Sequence, residues 1–292
     1  MVKEYYRPAT LAEAFKLQTA ASAWLAGGSS LLCTESPSVP GNRTMADVPE
    51  RLIDLKLIVP AAVARENGNL VIGAGSSFQD ILDSDQVFAA LRAAAGSMSN
   101  RNVRNRATVG GNLADNRSCA SLTPLFLAMG TSLQIASSSE VIETVPLEAW
   151  LVQPKGLVLK VIVPCPENML AVSRHSSRTA CDVATVVMAV SCRQHDGRLT
   201  DLRIVAGGFG PHAEQRSDLE RLFENQTLPE RPAIETAVRP LLKALDDVRG
   251  SAGFKSQLGA VLLADLLHEL AARPENFSLQ PSPATRIPEV RS

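Results

Sequence analysis

An α+β chain in two units is the fold class this sequence predicts, and three observations carry it. Capped helical stretches alternate with short strands and glycine turns through the first 170 residues. Two long runs of alternating polarity at 181–210 flank His195-Asp196-Gly197, a hairpin signal. Helical blocks at about 230–247 and 254–272 follow, with the amphipathic spacing of helices that pack on one face of a small antiparallel sheet. At 292 residues and 45% hydrophobic content the chain is long enough for a substantial core in two domains. The predicted division is 1–170, 171–273 and a mobile tail over 274–292.

The elements are read in order. Thr10 and Glu13 make a capping-box pattern ahead of the helix in ATLAEAFKL. A strand AWLAG, 23–27, ends at Gly27-Gly28; strands follow at 52–55 and 69–75, separated by the polar turn ENGN. Ser77 and Asp80 cap the next helix. GAGSSF before that helix imitates a dinucleotide fingerprint, but Phe78 stands where glycine or alanine is required, so Gly73 and Gly75 read as turn residues. A helix over 87–96 ends at Gly96. Between 122 and 151 come a short helix stopped near Gly130, the strands SLQIA and VIETVP, and a short helical piece; LVLKVIVP is a strand over 157–164. Past the hairpin, Ser217 and Glu220 form another capping box. The last twenty residues hold four prolines and few large apolar groups, hence the mobile tail.

Composition excludes several functions. Net charge is −1 and the basic residues are scattered, which leaves no footprint for nucleic acid. Neither a signal-peptide core nor an apolar run of membrane-spanning length is expected, so the chain reads as cytoplasmic, with no membrane partner. Five cysteines without a Cys-x-x-Cys pair, and four histidines without ligand spacing, argue against a metal site; each cysteine reads as a small buried apolar residue.

Two Gly-Gly turns carry the candidate chemistry, LAGGSSLL at 25–32 and ATVGGNLADN at 107–116. Each can aim consecutive N–H groups into a concavity, since glycine permits the dihedral angles of an anion-binding nest. Hydroxyls of Ser29, Ser30 and Thr108 add donors, so two such turns meeting in space would hold a pyrophosphate. The plain alternative is that both are tight surface turns. Arg101, Arg104 and Arg106, just ahead of the second turn, face solvent or a partner's acids, or else reach phosphate. Arg178 and Asp182 read equally as a local ion pair or as pocket residues.

In order along the chain, YYRPATLAEAF, AGGSSLL, VIGAGSSFQDIL, VRNRATVGGNLADN, SLTPLFLAMG, LVLKVIVP, RHSSRTACDVATVVMAV and LRIVAGGFGPHAEQRSDLERLFENQ resemble the FAD-binding subunit of the molybdenum hydroxylases. That family includes the flavoprotein subunits of xanthine dehydrogenase and carbon monoxide dehydrogenase. The resemblance implies a two-lobed FAD domain of the vanillyl-alcohol-oxidase (PCMH) type followed by a small α+β domain. It also implies an FAD pyrophosphate wrapped by Ala26, Gly27, Gly28, Ser29, Ser30 and Leu31 and by Thr108, Val109, Gly110, Gly111 and Asn112. Arg174 falls where relatives often place a cation near the flavin pyrimidine edge. Ser121 stands where relatives commonly carry an aspartate toward the adenosine half, and Asp115 lies six residues earlier as a substitute acid. No obvious aromatic is available to stack on a flavin, the tyrosines being Tyr5 and Tyr6. By the same resemblance, electrons come from molybdopterin and [2Fe–2S] clusters on a large subunit and an iron–sulfur subunit, and leave to NAD or another acceptor. Three departures, Ser30 where relatives often carry an acid, Ser121 and the missing aromatic, leave as the alternative a docking subunit with weak or lost FAD binding.

Overall fold

The computed structural model describes residues 2–31, 48–179, 181–274 and 279–282. The first lobe is a small parallel sheet of β1 (Glu4–Tyr6), β2 (Ser22–Leu25) and β3 (Arg51–Asp54), in the order β1-β3-β2, with α1 (Leu11–Leu17) between its first two strands. Thr10 caps α1 through the Glu13 N–H, and the Glu13 carboxylate takes the N–H of Ala9, one residue before the position a full capping box uses.

The second lobe is a five-stranded antiparallel sheet, ordered β4-β5-β8-β6-β7. In chain order its strands and helices are β4 (Val63–Glu66), β5 (Asn69–Gly73), α2 (Phe78–Asp83), α3 (Ala89–Gly96), α4 (Arg101–Arg104), α5 (Val109–Asp115), α6 (Thr123–Ala128), β6 (Ser132–Ala136), β7 (Ile142–Pro146), α7 (Leu147–Val152) and β8 (Leu157–Pro164). The Ser77–Asp80 capping box is complete in both directions. Phe78 is fully buried in the core, which explains why the dinucleotide fingerprint is only imitated here. Gly73 and Gly75 are required for close approach, because a Cβ at either would sit 2.3 Å from the Pro60 carbonyl oxygen or 2.9 Å from that of Val59.

The second unit has a four-stranded antiparallel sheet, β12-β11-β10-β9. Its elements are β9 (Met169–Ser176), β10 (Val186–His195), β11 (Arg198–Gly207), β12 (Glu214–Gln215), α8 (Ser217–Phe223), α9 (Arg231–Val238) and α10 (Ala252–Ala271). Asp196 and Gly197 both adopt positive φ at the hairpin, as a two-residue turn matched to strand twist demands. Two sequence expectations need correction here. Ser217 does not cap α8; it is the first helical residue, and the Glu220 carboxylate instead takes the Ile204 N–H and the Gln215 amide. The block expected at 230–247 is a shorter α9, and α10 is capped by Ser251.

Within the segment expected as a mobile tail, residues 279–282 are described and packed. Leu279 is buried in the core of the first unit, its carbonyl accepts from Arg65, and Ser282 donates its N–H to Val87. The buried Arg92 guanidinium is spread over the carbonyls of Leu82, Ser84 and Ser282 and the Ser282 hydroxyl. The remainder of the tail lies outside the described residues. A chain ending at Pro274 exposes the Leu279 site and strips two acceptors from a buried cation. It is expected to lose about 2–4 kcal/mol of stability, from one buried leucine and the charge-assisted hydrogen bonds. Denaturant unfolding checks this, and an unchanged midpoint would show that the packed segment adds nothing.

Candidate functional site

The two glycine segments do meet. Trp24, Ala26, Gly27, Gly28, Ser29, Ser30 and Leu31 form one wall of a cleft of about 130 Å³. Met98, Ala107, Thr108, Gly111, Asn112, Ala114 and Asp115 form the other wall. Small-molecule clefts run to about 300–1,000 Å³, so this one matches a small polar group such as a phosphate moiety rather than a whole dinucleotide. Trp24 was not singled out in the sequence. It is an aromatic on the cleft wall, packed edge-on against Phe15 at a centroid distance of 5.7 Å.

The second glycine segment is a helix, not a turn. Thr108 is the N-cap of α5, its hydroxyl accepting the Gly111 N–H at 3.1 Å. The N–H groups of Val109 and Gly110 go to the carbonyls of Ser76 and Ala74, and that of Asn112 to Thr108, so these amides do not form an open nest. Val109 is fully buried and Gly110 packs against Ala74, which removes both from the cleft wall.

The first segment has the opposite character. Gly28 adopts φ +70°, and among the described residues no backbone carbonyl takes the N–H of Gly27 or Gly28. These amides are the better-placed anion donors. Arg106 anchors the loop by donating Nε and Nη2 to the Gly27 carbonyl, which holds its cation at the rim. Ser30 and Arg117 both donate to the Asp115 carboxylate, at 2.9 and 2.7 Å, so the acid in the cleft is paired with a cation. The loop's glycine amides and the guanidinium groups of Arg106 and Arg117 therefore fit a phosphate-bearing cofactor, whereas the Ser30 hydroxyl proton is held by Asp115.

The other expected residues lie elsewhere. Arg104 turns inward to the carbonyls of Met98 and Ser99, whereas Arg101 stays exposed. Arg174 sits on the α10-facing side of β9, with Leu170 and Val172, and pairs with Glu269 of α10; alternation along the strand directs its neighbour His175 at the first unit instead. Ser121 is buried outside the cleft, its hydroxyl on Met98 Sδ. Arg178 and Asp182 form an exposed i,i+4 pair at 2.8 Å, and the hydrogen bond from Arg178 holds the Asp182 carboxyl below its ordinary range. Of the cysteines, Cys119 and Cys192 are buried, with burial pushing their thiols up to about 11 and about 12, while Cys181 is exposed, contrary to expectation. Cys33 lies outside the described residues. Among the described residues, no helix is long and apolar enough to cross a membrane, and no His, Cys, Asp and Glu cluster could hold a metal ion.

Comparison with known proteins places this geometry in context. Residues 1–166 match the family described as the FAD binding domain in molybdopterin dehydrogenase, and residues 171–270 match the CO dehydrogenase flavoprotein C-terminal domain. The chain is 33% identical over 270 residues to the uncharacterized protein YgfM of Escherichia coli, covering 91% of this chain and 95% of that one. It is 29% identical over 232 residues to the xanthine dehydrogenase FAD-binding subunit of Escherichia coli O157:H7, with coverage of 72% and 77%. Its fold matches a chain of carbon monoxide dehydrogenase from Hydrogenophaga pseudoflava with a TM-score of 0.80 at 23% identity, covering 93% of this chain and 97% of that one.

Proposed function

The chain belongs to the family of FAD-binding domains of molybdopterin dehydrogenases, and from that premise we propose that it is the flavin-carrying subunit of a cytoplasmic molybdenum hydroxylase complex. Its partners are an iron–sulfur subunit and a large molybdopterin subunit, and electrons reaching FAD leave to NAD or another acceptor. The observation that supports this reading is the convergence of the 26–31 loop and α5, distant in sequence, on one cleft lined with small residues and donors. FAD, when bound, supplies the redox chemistry, and the chain supplies position and charge. In the proposed site the amides of Gly27 and Gly28 and the Ser29 hydroxyl face the pyrophosphate, with Arg106 and Arg117 balancing its charge. Thr108, Gly111 and Asn112 shape the opposite wall, and Asp115 holds Ser30 and Arg117 in place.

A docking subunit with weak FAD binding is the second reading. It is favoured by the α5 amides already being committed within the chain and by the carboxylate on the cleft wall. One spectrum separates the two. Protein purified alone and with its partners is expected to show flavin absorption near ~450 nm, whereas a colourless but active stoichiometric complex would refute the flavin-carrying role.

A further inference from the structure

The segment between α5 and α6 runs along the second unit and is tied to it residue by residue. Nδ1 of His212 lies 2.8 Å from the Asn116 carbonyl oxygen, and the Gly208 N–H donates to the Ser118 hydroxyl at 2.8 Å. Cys119 Sγ lies 3.6 Å from the Thr185 carbonyl oxygen. The last tie, His175 Nε2 to the Ser121 carbonyl at 2.9 Å, is followed directly by the Leu122 N–H, which donates to Asn112 Oδ1 at 3.2 Å. Asn112 is on the cleft wall, and so is Met98, which receives the Ser121 hydroxyl.

We propose that His175 is a positioning residue for the cleft: by holding the Ser121–Leu122 peptide it sets Asn112 and Met98, so that the second unit shapes a site lined by the first. The proposal rests on the flavin reading of that cleft. A carbonyl only accepts, so Nε2 carries the ring proton. Burial pushes the imidazole down to about 4, so at pH 7 the ring is neutral and the contact is made by its Nε2–H tautomer. With Asn112 Oδ1 engaged by a donor, its amide NH₂ is the end left for a ligand, a donor suited to phosphate oxygens. The other three ties hold the rest of the segment, so losing His175 loosens the peptide locally rather than separating the units.

The test uses the full chain with His175→Ala, His175→Gln, which keeps an N–H donor, and His195→Ala, at an exposed hairpin histidine. Amide exchange at Leu122, the FAD dissociation constant, the visible circular dichroism of bound flavin and the thermal midpoint are measured for each. In His175→Ala, Leu122 exchange is expected to quicken about tenfold and FAD to bind about tenfold more weakly, the equivalent of one hydrogen bond. The flavin dichroism changes with it. His175→Gln restores most of both effects, and His195→Ala alters neither. Unchanged Leu122 exchange in His175→Ala overturns the proposal. So does weaker binding that merely follows the thermal midpoint and is not rescued by glutamine. Wild-type protein that takes up no FAD refutes the flavin reading alone, because Leu122 exchange still reports whether His175 holds the peptide against Asn112.

Discussion

Gly27→Ala is expected to abolish stable flavin retention while leaving the second unit folded. A Cβ at this position would lie 1.8 Å from the Arg106 carbonyl oxygen, 2.7 Å from its carbon and 3.1 Å from the Ala107 Cα. All three are backbone atoms, so no rotamer change relieves the clash. One strand of the contact must move, and the 106–107 side is the better fixed. Ala107 is buried, its carbonyl takes the Phe78 N–H, and Ser77 bridges to Thr108. The 26–31 loop therefore retreats, breaking the Arg106 contacts to Gly27 and carrying Gly28, Ser29 and Ser30 off the cleft wall. Overpacking of this kind costs about 1–3 kcal/mol, and in the proposed site it falls on the loop that supplies the Gly27 and Gly28 amides. FAD affinity is expected to drop by at least about a hundredfold, since roughly 2.7 kcal/mol of lost contacts corresponds to that ratio. Titration with FAD, read alongside amide exchange in β10 and β11, checks the outcome. Near-normal affinity in this variant would move the cofactor away from the loop.

The elements visible in the sequence are those whose own residues dictate them. The capping box at Ser77 and Asp80 needs no tertiary help, and neither does the Asp196-Gly197 turn. Strands β6 and β7 were readable for a related reason, bounded by Gly130 at φ +65° and a serine turn. Strands β1 and β4 are short and lack a clear alternation, so they exist through their pairing with β3 and β5. β9 was hidden differently. Leu170 to Ser173 are all buried, so the period-two pattern vanishes where the strand is covered on both faces.

That two distant glycine segments share a cleft was legible in the sequence, and the local structure of the second was not. The glycine loop and the 108–115 segment share a cleft, yet Gly110 and Gly111 suggested a turn because each glycine weakens a helix by about 1 kcal/mol. Tertiary contacts outweigh that penalty, since Ser76, Ala74 and the Thr108 cap satisfy the first turn. Arg174 was placed by resemblance, without regard to strand parity. A shift of one residue reverses the face, and the side chain that reaches the first unit belongs to His175. Trp24 escaped notice because tyrosines were sought as the stacking aromatic, although a strand leading into a glycine loop already placed an indole beside it.

Gly110→Val is expected to act on the fold, whereas a glycine facing an open phosphate nest would act on binding alone. The added Cβ would meet Ala74 Cβ at 2.8 Å and the Ala74 carbonyl oxygen at 3.0 Å, the same oxygen that accepts the Gly110 N–H at 2.8 Å. Valine adds two further methyl groups against a strand end that is itself buried, and its stiff χ1 leaves few ways to turn them aside. The loss is expected to reach about 3 kcal/mol, at the upper end for overpacking, and to appear in flavin-free protein as a lowered denaturant midpoint. Gly111→Ala separates the causes. Its Cβ would lie 2.9 Å from Thr108 Oγ1, a side-chain atom that can rotate at the expense of the cap, about 1 kcal/mol. Exchanging glycine for alanine inside α5 returns a similar amount through helix propensity. Gly111→Ala should therefore fold nearly as well as the wild type, and any flavin deficit it shows belongs to the cleft wall. A Gly110→Val protein with an unchanged midpoint would mean that α5 does not lie against Ala74 as described, and the turn reading of residues 108–112 would return.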